Sequence, residues 1–447
     1  MRQRIGVEHL KAPITNQEVE GALAKAERAV KDLSQLPDTW LDFCNEKLAI
    51  TSESLGFLIR QRVQLHKRGY PSRELDYLKL IERQIEELKQ VYLSFYRLAP
   101  GLIHQLRGRE PEIYAWLTLQ KELGSEFDNL LCGLSLLEEL DAQTAMVIVT
   151  QSPVENMDSV MSELIEGKAK SSTFYFEYLR VRQALSVALI KRWHKAEIIR
   201  SNIALPLLAL QDVEEGIEWI NDNANTEQYL FERLITKRDR GTWFRQCFGI
   251  EPSGLPSAQV LTFAKLLEIK EFEAFDISSS LAPVDFALSG DWKLVPEIIE
   301  HLEKLEEDEG EIWIQALYVV YGKLLPLTPQ DVGVEYEWEE IVDLLNEWVE
   351  DEKYIQNLPS RLGYALSFES TLAAMQDANV DVLFRDWLWR QICIQSRAYV
   401  PWDMAMPVYQ QDWNFNNLKA APSASERFNL RNSNAVMGYR SVPRAID

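Results

Sequence analysis

One stretch, residues 281–353, constrains the fold of this chain more than any other. Ser289-Gly290-Asp291 punctuates it, and Asp291 is placed to cap the helix that follows by accepting a hydrogen bond from an otherwise unpaired amide. Leu294, Ile298, Ile299 and Leu302 then recur at helical spacing, with charged residues on the opposite face. Pro296 falls in the first turns, where a missing N–H costs least. The run from Glu306 to Gly310 breaks the pattern. A second helix carries Ile312, Ile314, Leu317, Val320 and Tyr321, and Gly322 is placed to end it. Two short amphipathic helices joined by a tight turn cannot bury both apolar stripes alone, so they need stacked neighbours, as in helical-repeat proteins. Residues 337–352 offer one through Trp338, Ile341, Leu344, Leu345 and Trp348.

Charge singles out the same stretch. The chain carries a formal net charge of −22, and residues 297–353 hold 18 acids against 3 lysines. A duplex is a dense array of negative charge, so a nucleic-acid partner is not expected. The acidic run reads either as a solvated helix face that keeps the protein soluble or as a docking surface for a basic protein. On the second reading the candidate partner-binding residues are Glu306, Glu307, Asp308 and Glu309, with Trp338 and Trp348.

At 447 residues and 46% hydrophobic content there is room for two or three packed domains. Cys44, Cys132, Cys247 and Cys393 are far apart and form no C-x-x-C pair, which argues against zinc and fits reduced packing cysteines. The first residues, MRQRIGVEHLKAP, lack an apolar signal-peptide core, and no run approaches a membrane span. A cytoplasmic protein with no membrane partner is therefore expected.

Taken in order, residues 1–155 read as an N-terminal helical bundle. A polar helix covers 16–35, another runs through 54–67, and 69–72 is a break. In 73–98, Leu78, Ile81, Ile85, Leu88, Tyr92 and Phe95 alternate by three and four. That seam suits packing inside an antiparallel bundle, with a dimerising coiled coil as the alternative. AMVIVT at 145–150 has β-branched character but reads as a helix continuing from Asp141. Residues 156–275 form a middle helical section. Within it 172–199 reads as one long helix, basic at its end; helices follow at 203–222 and 225–239; and GTWFRQCFGIEPSGLPS reads as a loop. Residues 276–413 form a HEAT-like helical domain, and 414–447, rich in Asn, Ser and Ala, reads as a flexible tail.

Motifs of known chemistry are missing from the sequence. It has no dinucleotide fingerprint, Walker loop, H-E-x-x-H, G-x-S-x-G or calcium loop. Cys247 has no basic partner that sequence can nominate, and the carboxylates Glu335, Glu339 and Asp343 lack nearby histidines for a di-metal site. No catalytic residue, cofactor or metal is expected.

The order SGDWKLVPEIIEHLE, IQALYVVYG, NLPSRLGYALSFESTLAAM, LFRDWLWRQI within 281–411 resembles the C-terminal region of a family of HEAT-like proteins encoded in bacterial type VI secretion clusters. The resemblance covers about a third of the chain. It implies a cytosolic accessory or adaptor of a contractile secretion machine, and it transfers no catalytic residue. The expected protein is all-α, an N-terminal helical bundle followed by a HEAT-like helical-repeat array. It would act as a non-enzymatic scaffold that binds a basic partner or a secretion-machinery component. Two alternatives stand beside it: an acidic immunity-type inhibitor of a basic toxin or nuclease, and a helical enzyme with an unrecognised cleft.

Overall fold

Apolar residues spaced by three and four run through most of the chain, and the backbone is helical accordingly: the protein is all-α, built as a helical-repeat fold. The computed structural model describes residues 13–68, 75–167, 172–223, 225, 227–249 and 256–436. The expected break at 69–72, residues 250–255 of the expected loop, the first twelve residues and 437–447 lie outside them. Among the described residues, strand is confined to the short antiparallel hairpin of Ser360–Arg361 with Tyr364–Ala365. The chain divides into two units: Met1–Lys67 with Glu74–Arg200 and Pro401–Gln411, and Arg68–Arg73 with Ser201–Val400 and Asp412–Asp447. This grouping differs from the four segments that composition suggests.

In the first unit, helix Asn16–Asp32 starts at a capping box in which Glu18 accepts the Thr15 amide at 2.7 Å. It packs on the short helix Gly101–His104 and on Phe127–Leu134. Gly101 permits the first contact, because a Cβ there would overlap the Ala29 carbonyl. The seam at 73–98 lies on helix Leu75–Leu98 and packs within the bundle. Ser52 meets Tyr92 at 2.9 Å and Arg62 meets Glu82 at 3.2 Å, ten residues forward on one helix and ten back on the other. Asp38–Arg68 and Leu75–Leu98 therefore run antiparallel. AMVIVT is helical in Ala142–Thr150, with Asp141 accepting the Thr144 amide at 3.0 Å.

The long helix expected over 172–199 is two helices, Ser172–Val181 and Val187–Lys195. Gln183 adopts φ 57°, which ends the first, and the Ser186 hydroxyl caps the second at the Leu189 amide. The basic side chains here are tied into the unit: Arg180 pairs with Glu177 and Asp403, Arg182 with Asp158, and Arg192 with Glu166. Residues 401–411 return to this unit. Thr150 donates to Ala405 O at 2.8 Å and Gln183 to Pro401 O at 3.2 Å.

In the second unit, the helix expected at 203–222 is an antiparallel pair, Ser201–Leu210 and Glu214–Asp222. The expected loop at GTWFRQCF is helix Arg240–Phe248, held by Phe244, which packs on Phe248 and Phe272. Helix C-termini leave carbonyls without intrahelical partners, and arginines from elsewhere in this unit fill several of them. Arg233 donates to Ile220 O and Asn223 O at 2.7 and 2.8 Å. Arg361 reaches Leu288 O at 3.2 Å, and Arg427 reaches Ser396 O at 2.6 Å.

The hairpin at 360–365 performs the same task with backbone. Leu362 N and Gly363 N donate to Val319 O and Val320 O, closing helix Glu307–Tyr321 past Gly322. Ser360 N donates to Gly290 O beyond helix Ala282–Ser289. The tail prediction is corrected as far as residue 436. Helix Pro422–Val436 buries Phe428 against Phe368, and the Asn429 side chain accepts the Phe368 amide at 2.8 Å. A few apolar residues, Phe415, Leu418, Ala424 and Phe428, anchor a segment whose average composition is polar.

Candidate partner-binding surface

The acidic stretch folds as helices Val295–Leu302, Glu307–Tyr321 and Trp338–Glu350, joined by structured loops. Asp291 makes the expected cap, accepting the Lys293 amide at 3.1 Å in the 3-10 turn that leads into the first helix. Ile298, Ile299 and Leu302 turn inward, as do Ile341 and Leu345 of the third helix, which packs on the first. Inward burial of those positions forces the carboxylates outward. Every acid from Glu297 to Glu352 except Asp331 is exposed. Ion pairs neutralise two of them among the described residues, Glu300 with Lys304 and Asp351 with Lys353.

Glu306 is the N-cap of helix Glu307–Tyr321, and Glu307, Asp308 and Glu309 form its first turn, where the helix dipole favours negative charge. The four therefore help the helix start as well as charge the surface. Trp338 closes over this turn. Its indole N–H donates to Leu305 O at 2.8 Å, and its ring occupies the space that a Cβ on Gly310 would need. Five of the six candidate residues are thus brought to one place. The sixth is corrected: Trp348 is buried, packed edge-on against Tyr321 with ring centroids 4.8 Å apart, and belongs to the core rather than to a partner.

One residue of this surface has no sequence signal. The Asp331 carbonyl accepts the amides of Val334, Glu335 and Tyr336, and its carboxylate accepts the Thr328 amide at 2.6 Å. The tight loop so formed carries Gly333 against Glu307 and displays Val334 at 80% exposure beside the acidic turn. Such a face can attract a basic surface over a Debye length of about 8 Å at physiological salt and offers an apolar contact at its edge.

Buried ionisable groups converge elsewhere, in the first unit. His104 Nδ1 lies 2.9 Å from the Tyr114 hydroxyl, and the Tyr96 hydroxyl donates to Glu126 at 2.7 Å and accepts from Asn129. Burial drives each group toward its neutral form: His104 is pushed down to about 4, Cys132 up to about 11, Tyr96 up to about 12, and Tyr114 higher still. A catalytic thiol beside a histidine needs the opposite shifts, a lowered thiol and a ready base. The cluster is a neutral hydrogen-bonded core. Cys247 is exposed, yet desolvation raises its thiol despite nearby Arg233 and Lys237.

Among the described residues, no three His, Cys, Asp or Glu side chains group to hold a metal ion, and no helix is long and apolar enough to cross a membrane. Compared with family models, curated proteins and solved structures, the chain matches none.

Proposed function

We propose that this protein is a non-enzymatic cytoplasmic scaffold or adaptor that holds a basic protein partner against its acidic helical face, as an accessory of a type VI secretion machine. The observation that carries the reading is the outward display of the 297–353 carboxylates around Val334 and Trp338, nearly all of them without an internal cation among the described residues. Charge of one sign spread over packed helices speeds association with the opposite sign and selects against acidic partners. The secretion assignment is supported by the resemblance in 281–411. Gly290, Gly322, Arg361 and Gly363, from three of its fragments, meet at the one hairpin.

The test is capture from the native host with the full chain and with Glu306, Glu307, Asp308 and Glu309 all changed to Lys. A basic secretion component retained by the first and lost by the second supports the proposal. Equal capture by both removes the acidic face from recognition. The same charge suits an immunity-type inhibitor, and a tight 1:1 complex with one small basic toxin or nuclease would favour that reading.

A further inference from the structure

A groove of the first unit is lined by polar groups that the fold leaves without partners. It lies between helix Asn16–Asp32 and residues 104–108 and has a volume of about 310 Å³. Leu23, Ala26 and Val30, three and four residues apart, give it an apolar wall. His104 lines it too and is only 9% exposed. Its Nδ1 is held by the Tyr114 hydroxyl at 2.9 Å. The two nitrogens of an imidazole diverge, so Nε2 points away from Tyr114, and among the described residues it has no hydrogen-bond partner. Arg107 lines the groove with a buried Nε–H that has no partner either. Buried polar atoms are nearly always paired, so two unpaired ones on one cavity mark a place where something else supplies the partner.

We infer that this groove binds a small organic carboxylate with an apolar body. Water alone can satisfy the two hydrogen bonds, but it leaves the charge unbalanced. In a chain of net charge −22, the groove carries Lys31 and Arg107 against one acid, Glu27. Lys31 and Glu27 make no ion pair among the described residues, and Arg107 reaches only the exposed Glu139, at 3.9 Å. The surplus of one positive charge suits a monoanion; a phosphate dianion would bring more charge than the groove balances. The planar edge of a guanidinium matches a carboxylate, so Arg107 Nε–H and the Lys31 ammonium take the head group. Burial pushes His104 down to about 4, so near pH 7 its ring is neutral and offers the head a single N–H at Nε2. Leu23, Ala26 and Val30 cover the body of the ligand. The volume is at the low end of ligand pockets, roughly 300–1,000 Å³, and so fits a molecule of one or two rings.

The experiment is calorimetric titration of the full chain with naphthylacetate and with its neutral counterpart, naphthylacetamide. The wild type binds one naphthylacetate with a Kd below about 1 mM and the amide about tenfold more weakly. Arg107→Met and Lys31→Met each bring the affinity for the acid down toward that for the amide and leave the amide unchanged. The Arg107 side chain is 34% exposed and Lys31 is exposed, so unchanged helical circular dichroism is expected for both variants. The His104 ring reports where the probe sits: its proton magnetic-resonance signal, assigned with His104→Gln, shifts as naphthylacetate saturates the wild type. No binding in that range, an amide held as tightly as the acid, variants that bind the acid like the wild type, or saturation that leaves the His104 signal in place would each overturn the proposal.

Discussion

Replacing Arg361 with Met is expected to stabilise the second unit. The guanidinium is fully buried, 0% exposed. It is bonded to two neutral oxygens, Leu288 O and Gln391 Oε1, both at 3.2 Å. Burial lowers its pKa from 12.5 to about 9, which corresponds to about 5 kcal/mol for holding the charge away from water. Two hydrogen bonds to a charged donor offset about 3 kcal/mol of that. Its Nε and Nη1 make no hydrogen bond. Leu288 O keeps a partner without it, because the Gln391 amide also donates there at 3.2 Å. Methionine fills much of the volume with no charge, so the unit should gain about 2 kcal/mol. Because the folded value lies below the unfolded one, the unfolded chain holds a proton that the folded chain releases between pH 9 and 12.5, and stability rises with pH in that window. Below pH 9 both states are protonated, so the gain should be equal at about pH 6 and about pH 8. A chain of two units has no single unfolding free energy. The assay is therefore native-state hydrogen exchange of the slowest amides in helices Ala282–Ser289 and Val382–Ser396. Slower exchange in Arg361→Met supports the reasoning, and a loss of about 2 kcal/mol or more would refute it.

Phe428→Ala should cost about 3–5 kcal/mol of local stability and open 414–436 to limited proteolysis, because the ring is fully buried on Phe368. Gly290→Ala should cost more than about 2 kcal/mol in the same exchange assay, since the residue adopts φ 61° and a Cβ would overlap the Ser360 carbonyl. His104, held down to about 4 from 6.5, makes stability fall as pH drops through that interval, because the unfolded chain takes up a proton that the folded chain refuses. The loss should approach about 3 kcal/mol in the first unit, read from native-state hydrogen exchange of its slowest amides at pH 7 and 4 after correction for intrinsic exchange rates, and His104→Gln should flatten the profile.

The legible parts of the fold were those set by residues near in sequence. Asp141, Asp291 and Gly322 mark helix ends because capping involves residues a few positions away, and Ile81, Ile85 and Tyr92 give their helix face by spacing alone. What sequence hides is contact at long range. Arg361 looks like a surface residue until Leu288 and Gln391 surround it, and Asn- and Ser-rich 422–436 looks loose until Phe368 covers Phe428. The break at Gln183 depends on a left-handed backbone that no local motif announced. For the candidate surface, acidity was written in composition, while the packing of Trp338 on Leu305 and Gly310 was not. Trp348 went wrong because a tryptophan on an amphipathic helix gives little indication of which side of the boundary it occupies.

The central claim is recognition through negative charge on the face of residues 297–353. It is tested most directly by titration calorimetry of the intact chain against the protein it captures, at about 50 and about 500 mM salt, where the Debye length shrinks from roughly 14 to roughly 4 Å. The account predicts that affinity falls at least about tenfold between the two, and that changing Glu306, Glu307, Asp308 and Glu309 to Lys removes most of that dependence. An affinity that ignores both salt and the four substitutions would contradict it.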